Sequence, residues 1–280
     1  MSCVAITGAS GFIGSALVDE FLAHGWRVAG CGRQRPAALP AEVEWRHYDL
    51  NEPEVSATLL DGADVLIHGA LVAGDYDVNV AGGRRLLDEA QRRGVRMVFL
   101  SSLAAHEGAL SSYGRQKWVL ERLFAERGAL VVRPGLVVGD GSIFRTTCEY
   151  LKTHRVVPLI GDGRQPLQTV FVGDLVAAVR WGVEMRMTGV YTVAETEPVG
   201  YGMFYRAVAR QLGREPMFVP VPFPLALMAF RVAKRLGVRL PVDQDNLLGL
   251  RAMRPDNGAR LEAPDRPVGR YAENISRALD

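Results

Sequence analysis

A glycine-rich turn follows the first apolar run of the chain and constrains the fold more than any other feature. Residues 7–14 read Thr-Gly-Ala-Ser-Gly-Phe-Ile-Gly, directly after a short strand-like run. Gly8 allows a tight exit from a strand, Gly11 lets the backbone approach a pyrophosphate, and Gly14 lets a helix pack on the strand. The free N–H groups and the positive end of that helix attract an anion. The sequence therefore predicts a dinucleotide-binding strand, turn and helix.

Apolar strand-like runs alternate with amphipathic helical segments over the first two thirds of the chain. The expected strands are residues 4–7, 27–30, 43–48, 65–68, 97–101 and 130–133. The expected helices are residues 12–24, 53–60, 78–93 and 113–127. This alternation favours right-handed βαβ crossovers and predicts an α/β fold with a Rossmann-type, doubly wound parallel sheet. A ligand is expected beyond the carboxyl ends of the strands.

The pattern changes after the last of these strands and suggests two domains. Residues 1–195 are predicted to form the dinucleotide-binding domain, with an excursion toward the substrate over about residues 140–168. Within it, residues 169–172 and 189–193 are expected strands, and a helix is expected near residues 174–184. Residues 196–280, which are punctuated by proline, are predicted to form a small, mostly helical substrate-binding lobe. Residues 251–265 in that lobe have the composition of a loop.

Charge and cysteine content exclude several classes of function. The net charge of +2 gives no strong field, so nucleic acid is not an expected partner. Cys3, Cys31 and Cys148 have neither metal-ligand nor disulfide-framework spacing, so no metal site is expected. They fit a reducing cytoplasm. The first apolar run is too short for a signal peptide and is expected to be a strand.

The longest apolar stretch, residues 217–232, contains three prolines and is shorter than the ~20 residues that span a bilayer. No membrane span is therefore expected. A helix over residues 224–236, which ends in basic residues, fits two interpretations: it lies on a membrane surface, or it covers a substrate pocket. The sequence leaves both open.

A second motif carries chemistry. Tyr113 and Lys117 are four residues apart, so on a helix both side chains lie on one face. A nearby ammonium is expected to lower the pKa of the Tyr113 phenol toward the range of a general acid/base. Ser101 and Ser102 end the preceding strand, where a hydroxyl can hold a substrate carbonyl. The three groups together predict a catalytic site.

With these two motifs, the chain resembles the extended and atypical branches of the short-chain dehydrogenase/reductase superfamily, whose members are epimerase- and dehydratase-like. The resemblance rests on the turn at residues 7–14 and on the Tyr-x-x-x-Lys pair, and it covers about residues 3–195. It implies that Tyr113 is the proton donor, that Lys117 binds the nicotinamide ribose and tunes Tyr113, and that Ser102 orients the substrate. A slip of one residue in the comparison would exchange Ser102 and Ser101.

The same resemblance implies the dinucleotide contacts. Asp49 and Leu50 would flank the adenine, Ala70 would lie near the phosphates, and Pro134 would lie beside the nicotinamide. Besides these four residues and the pair Tyr113 and Lys117, the implied cofactor-binding residues are Gly8, Ser10, Gly11, Phe12, Ile13, Gly14 and Arg33.

The end of the second strand bears on the choice of dinucleotide. NAD-specific proteins place a carboxylate there for the ribose 2′-hydroxyl. This chain has Cys31-Gly32-Arg33 instead, and Arg35 adds further positive charge. A guanidinium can bind a 2′-phosphate, which a carboxylate would repel. NADP is therefore the expected cofactor, with NAD the alternative.

These features predict an NADP-dependent oxidoreductase that reduces a carbonyl, or oxidises an alcohol, on a small-molecule substrate. Two alternatives stay open: a sugar-nucleotide epimerase or dehydratase, and a non-catalytic dinucleotide-sensing or assembly protein. Only ten residues separate Ser102 from Tyr113, whereas the epimerases carry a longer loop there. The complete Ser, Tyr and Lys set favours an enzyme. The family resemblance also implies a homodimer through the helices near residues 78–93 and 113–127.

Overall fold

A parallel sheet flanked by helices forms the centre of the molecule. The structure is a computed structural model and describes residues 1–235 and 244–279. In chain order the strands are β1 (Cys3–Thr7), β2 (Arg27–Gly32), β3 (Glu44–His47), β4 (Val65–His68), β5 (Arg96–Leu100), β6 (Leu130–Pro134), β7 (Leu136–Val138), β8 (Val156–Ile160), β9 (Pro166–Leu167), β10 (Thr169–Phe171), β11 (Gly189–Val193), β12 (Val199–Gly200) and β13 (Met217–Val221). The helices are α1 (Phe12–Ala23), α2 (Tyr76–Arg92), α3 (Ser112–Glu126), α4 (Ser142–Thr153), α5 (Val172–Glu184), α6 (Tyr201–Gln211), α7 (Phe223–Arg235), α8 (Gln244–Ala252) and α9 (Tyr271–Leu279).

Seven strands form the main sheet in the order β11-β6-β5-β4-β1-β2-β3, and every pair is parallel. Successive side chains of β1 point to opposite faces. Val4 and Ile6 join a buried cluster that includes residues of α1 and α5, whereas Ala5 joins a second cluster that includes residues of α2 and α3. The predicted α/β fold with a doubly wound parallel sheet is therefore confirmed. All the sheet strands end at the same edge, which is where a ligand site is expected.

One predicted helix is wrong. Residues 53–60 form turns rather than a helix. The side chains compete with helical hydrogen bonding there, because Ser56 Oγ accepts from the backbone N–H of Thr58 and contacts its hydroxyl. Leu59 and Leu60 are nevertheless buried against the sheet. Their burial accounts for the amphipathic pattern, which here belongs to a short irregular crossover.

The chain beyond β11 is mostly helical and returns to the sheet at its end. Of residues 251–265, whose composition predicts a loop, Arg251 and Ala252 end α8 and the rest contain no helix or strand element, but Leu261 is buried in the core. The following helix α9, which was not predicted, packs on β10 and α6. Arg277 on α9 donates two hydrogen bonds, at 2.7 and 2.8 Å, to the fully buried carboxylate of Asp174. The domain boundary near residue 195 stays a prediction.

The apolar stretch that was considered for a membrane span contains β13 and most of α7. No helix within residues 1–235 or 244–279 has both the length and the apolar composition to cross a bilayer. Of the helix expected over residues 224–236, the structure describes all but residue 236.

Candidate dinucleotide and catalytic site

The glycine turn has the geometry of a phosphate cradle. Gly8 has φ of +75°, and a Cβ built on it would lie 2.9 Å from the backbone nitrogen of Ala70. A Cβ on Gly14 would collide with the carbonyl oxygen of Gly8 and lie 2.9 Å from the Cα of Ala9. Both positions therefore require glycine. Gly11 and Ser10 are exposed at the turn, and helix α1 points its N-terminus at them. These residues fit a dinucleotide pyrophosphate.

The other predicted dinucleotide residues lie at the same edge. Leu50 follows β3 and is buried, Ala70 follows β4 and contacts the glycine turn through its backbone, and Pro134 ends β6 and is buried. Asp49 is held by Asn51, whose backbone and side-chain N–H groups donate to its carboxylate and lower its pKa. Phe12 and Ile13, in the first turn of α1, are half-buried. The structure thus places these residues at or just beyond the carboxyl ends of the strands, on the edge of the sheet that carries the glycine turn.

Arg33 directly follows β2 and is exposed. Its positive charge acts on Asp49 and helps to lower that pKa after the hydrogen bonds from Asn51. Arg35 is occupied differently, since its guanidinium donates to the carbonyl oxygens of Val43 at 2.7 Å and Pro40 at 2.8 Å. Unlike Arg35, the Arg33 guanidinium makes no hydrogen bond to a backbone carbonyl within the described residues.

The two serines at the end of β5 have different partners. Ser101 is buried, and its Oγ donates to Glu121 Oε2 at 2.7 Å. Ser102 is half-buried and is hydrogen-bonded to the Tyr113 phenol. Its Oγ also accepts from the backbone N–H of Ala104 at 3.1 Å. The structure therefore places Ser102, rather than Ser101, beside Tyr113.

Tyr113 and Lys117 lie on one face of α3, as their spacing predicts. The Lys117 ammonium lies 5.9 Å from the centroid of the Tyr113 ring and donates to the Leu100 carbonyl at 2.6 Å. Burial lowers the pKa of Lys117 to about 8, so the side chain is charged at neutral pH. The expected lowering of the Tyr113 pKa is wrong for this structure: burial raises it, and the hydrogen bond with Ser102 only partly opposes the rise. The Tyr113 phenol is thus protonated, which is the form that donates a proton.

Sequence reasoning missed two groups that hold helix α3. The carboxylate of Asp245, on α8, accepts from the backbone N–H groups of Ser112 at 2.5 Å and Tyr113 at 3.0 Å. Glu121, on the same helix as Tyr113, is buried and is paired with Arg133. A carboxylate at a helix N-terminus satisfies free N–H groups and the helix dipole. Asp245 is 132 residues from Tyr113 in sequence, and no local motif signals such a contact.

Two polar residues near the site are explained by the fold. His68 is fully buried, its Nδ1 lies 2.8 Å from Thr7 Oγ1, and burial lowers its pKa to about 3, which keeps it neutral. Asn79 donates to the carbonyl oxygen of Val72 and to Gln116 Oε1, at 2.7 and 2.9 Å. Asn79 therefore joins α2 to α3, next to the turn of α3 that carries Lys117. The hydrogen bonds of His68 and Asn79 thus hold neighbouring elements of the fold together.

Comparison with known proteins gives the family. A family model for the NAD dependent epimerase/dehydratase family matches residues 4–194. A ceramide reductase of Caulobacter vibrioides (strain NA1000 / CB15N) is 30% identical over 239 residues, which cover 81% of this chain and 75% of that protein. A 3 beta-hydroxysteroid dehydrogenase/Delta 5→4-isomerase of Mycobacterium tuberculosis (strain CDC 1551 / Oshkosh) is 28% identical over 258 residues, with 75% and 70% covered.

Solved structures agree on the fold. The crystal structure of UDP-glucose 4-epimerase from Thermus thermophilus in complex with NAD matches with a TM-score of 0.67 and 21% identity, and 99% of each chain is covered. The predicted superfamily is confirmed. The chain belongs to the NAD-dependent epimerase/dehydratase family, within the extended short-chain dehydrogenase/reductases, and is an NAD(P)-dependent enzyme of that group.

Proposed function

We propose that the protein is an NADP-dependent oxidoreductase that reduces a ketone or aldehyde, or oxidises the corresponding alcohol, on an apolar, lipid-like small molecule. The observation that carries this proposal is the cluster of Ser102, protonated Tyr113 and charged Lys117, on the edge of the sheet that also carries the glycine turn. The apolar substrate is supported by the relatives, since one is named for a ceramide and another for a steroid.

Each residue has a distinct role in the proposed reduction. When bound, the reduced nicotinamide supplies the hydride to the carbonyl carbon. The Tyr113 phenol donates its proton to the carbonyl oxygen, and Ser102 orients both oxygens by hydrogen bonding. Lys117 stabilises the negative charge that develops on the Tyr113 oxygen as the proton leaves. Below a pH of about 8 the Lys117 ammonium is charged and can do so.

The preference for NADP rests on Arg33. We expect Arg33→Ala to weaken NADPH binding about 10- to 100-fold, because a charge-assisted pair with the 2′-phosphate is lost. NADH binding should change little. Calorimetric titration of the purified protein with each dinucleotide measures both effects. Arg35→Ala is the matched control, since that guanidinium is bonded to backbone carbonyls, and it should not change the ratio of the two affinities. Equal losses for NADPH and NADH in Arg33→Ala would contradict the assignment.

A sugar-nucleotide epimerase is the second candidate, favoured by the family model and by the fold of the solved epimerase. The short connection between Ser102 and Tyr113 weighs against it, as does Arg33. An epimerase regenerates its dinucleotide in each cycle and keeps it bound, whereas the proposed reductase consumes NADPH. The homodimer and the cytoplasmic location stay predictions.

Substrate-dependent NADPH oxidation tests the proposal. Purified protein is mixed with NADPH and two substrate sets, apolar ketones and aldehydes of increasing chain length, and UDP-sugars. We expect NADPH oxidation with the first set, with kcat/KM rising with chain length, and none with the second. Dinucleotide that stays bound through gel filtration, together with inversion of a UDP-sugar without net NADPH loss, would replace the reductase by an epimerase.

A further inference from the structure

Helix α7 exposes several large apolar side chains to solvent. Leu225, Met228 and Val232 are 52%, 58% and 50% exposed. At 100° per residue they lie within a sector of about 60° on one side of the helix. The opposite side, with Ala226 buried and Phe230 half-buried, packs on the protein. Three large apolar side chains exposed in one row mark an interaction surface.

The charged residues of α7 itself are all positive. Arg231 and Arg235 are exposed and lie on one flank of the row, by the same helical angles. The sequence from residue 216 to residue 242 contains four basic residues and no acidic one. An apolar row flanked by arginines is typical of a helix that lies in the headgroup region of an anionic membrane. A protein partner would need a matching acidic rim, whereas an anionic bilayer supplies negative charge over its whole surface.

The strand that leads into α7 also exposes apolar side chains. β13 pairs with β8 in parallel, with Met217 opposite Val156 and Val219 opposite Pro158. The alternation of side chains places these four residues on one face of the two-stranded sheet. All four are exposed, Met217 by 63%. On the other face, Val157 and Leu159 are buried.

Helix α7 is also close to the candidate catalytic residues. It packs on α8, and α8 carries Asp245, whose carboxylate binds the N-terminus of the helix that holds Tyr113. Helix α8 therefore connects the proposed membrane face to the helix that carries Tyr113.

We propose that the exposed face of α7 binds the surface of an anionic phospholipid membrane and brings the site to a membrane-held substrate. The consequence for catalysis rests on the proposed function, whereas the binding itself does not. Apolar burial and attraction between the arginines and anionic lipid headgroups together hold the helix in the interface.

Vesicle co-sedimentation tests this proposal with the full chain. We expect it to bind phosphatidylcholine vesicles that contain phosphatidylglycerol, to bind vesicles of phosphatidylcholine alone at least about tenfold more weakly, and to release with added salt. L225D/M228D and, separately, R231E/R235E should each reduce binding about tenfold or more. Met185→Asp is the matched control, because Met185 is 51% exposed on a different part of the molecule, and it should bind like the original protein.

Further measurements separate the possible outcomes. NADPH affinity and the thermal midpoint should be unchanged in L225D/M228D, and so should turnover of a short, water-soluble ketone without vesicles. Failure of the original protein to sediment with anionic vesicles, or sedimentation of both double variants like the original, overturns the proposal. Light scattering that shows a dimer lost in L225D/M228D would assign the face to a second copy and also overturn it. Vesicle binding without any ketone turnover would leave the membrane surface standing and reject the proposed function.

Discussion

Replacing Tyr113 with phenylalanine is expected to reduce turnover about 10²- to 10⁴-fold, the usual contribution of a positioned general acid. The change removes one oxygen that is hydrogen-bonded to Ser102 and leaves the ring, which packs near the Lys117 ammonium, in place. We therefore expect the affinity for NADPH and the thermal stability to stay close to those of the original protein. Steady-state kinetics with a ketone identified in the NADPH oxidation assay measure the effect, and the loss should appear in kcat.

Tyr191→Phe is the matched control for this variant. Tyr191 lies on β11, at the edge of the main sheet, and is half-buried. Its phenol is not part of the catalytic cluster, so turnover should be unchanged. If Tyr113→Phe retained full kcat with a verified substrate, another group would have to supply the proton and the assignment of Tyr113 would be rejected.

The second large effect is expected at Gly14. A Cβ there would lie 2.7 Å from the carbonyl carbon of Gly8 and 2.9 Å from the Cα of Ala9, and neither backbone atom can move without displacing α1 from β1. We expect Gly14→Ala to lower the free energy of unfolding by about 1–3 kcal/mol or more, as overpacking does, and to abolish NADPH binding. The midpoint of urea unfolding and calorimetric titration measure the two losses.

Gly11→Ala separates packing from ligand approach. Gly11 has φ of −84°, which any residue adopts, and its Cβ would lie 3.3 Å from the Gly8 carbonyl oxygen. This variant should keep most of its stability and lose at least about tenfold in NADPH affinity, because the methyl group occupies the space through which the backbone approaches the pyrophosphate. Unchanged stability and NADPH affinity in Gly14→Ala would refute the close packing of α1 on β1.

The fold was predictable where the buried residues of an element are contiguous or regularly spaced in sequence. The strands of the main sheet are apolar runs because helices cover both of its faces, and such runs are visible in one sequence. The crossover at residues 53–60 misled because burial of Leu59 and Leu60 imitates one side of a helix. Helix α9 was missed because its buried residues, Asn274 and Ile275, are few and adjacent, and because distant partners such as Asp174 fix it.

The candidate site divides in the same way. The glycine turn and the pair Tyr113 and Lys117 are local in sequence, so spacing alone predicted their proximity. The choice between Ser101 and Ser102 needed Glu121, which lies 20 residues beyond Ser101 and accepts a hydrogen bond from its hydroxyl. The pKa of Tyr113 depends on burial, and the spacing of residues in sequence does not predict how far a helix face is buried from solvent. Asp245 could be found only once α8 was placed against α3.

The ion pair between Asp174 and Arg277 also sets an order of events during synthesis. Asp174 lies in the core with no solvent exposure, and its guanidinium partner is 103 residues later in the chain. A buried carboxylate without its cation is strongly unfavourable. Until Arg277 has emerged from the ribosome, Asp174 lacks the cation that compensates the burial of its carboxylate. The native packing around Asp174 can therefore form only after residue 277 has emerged.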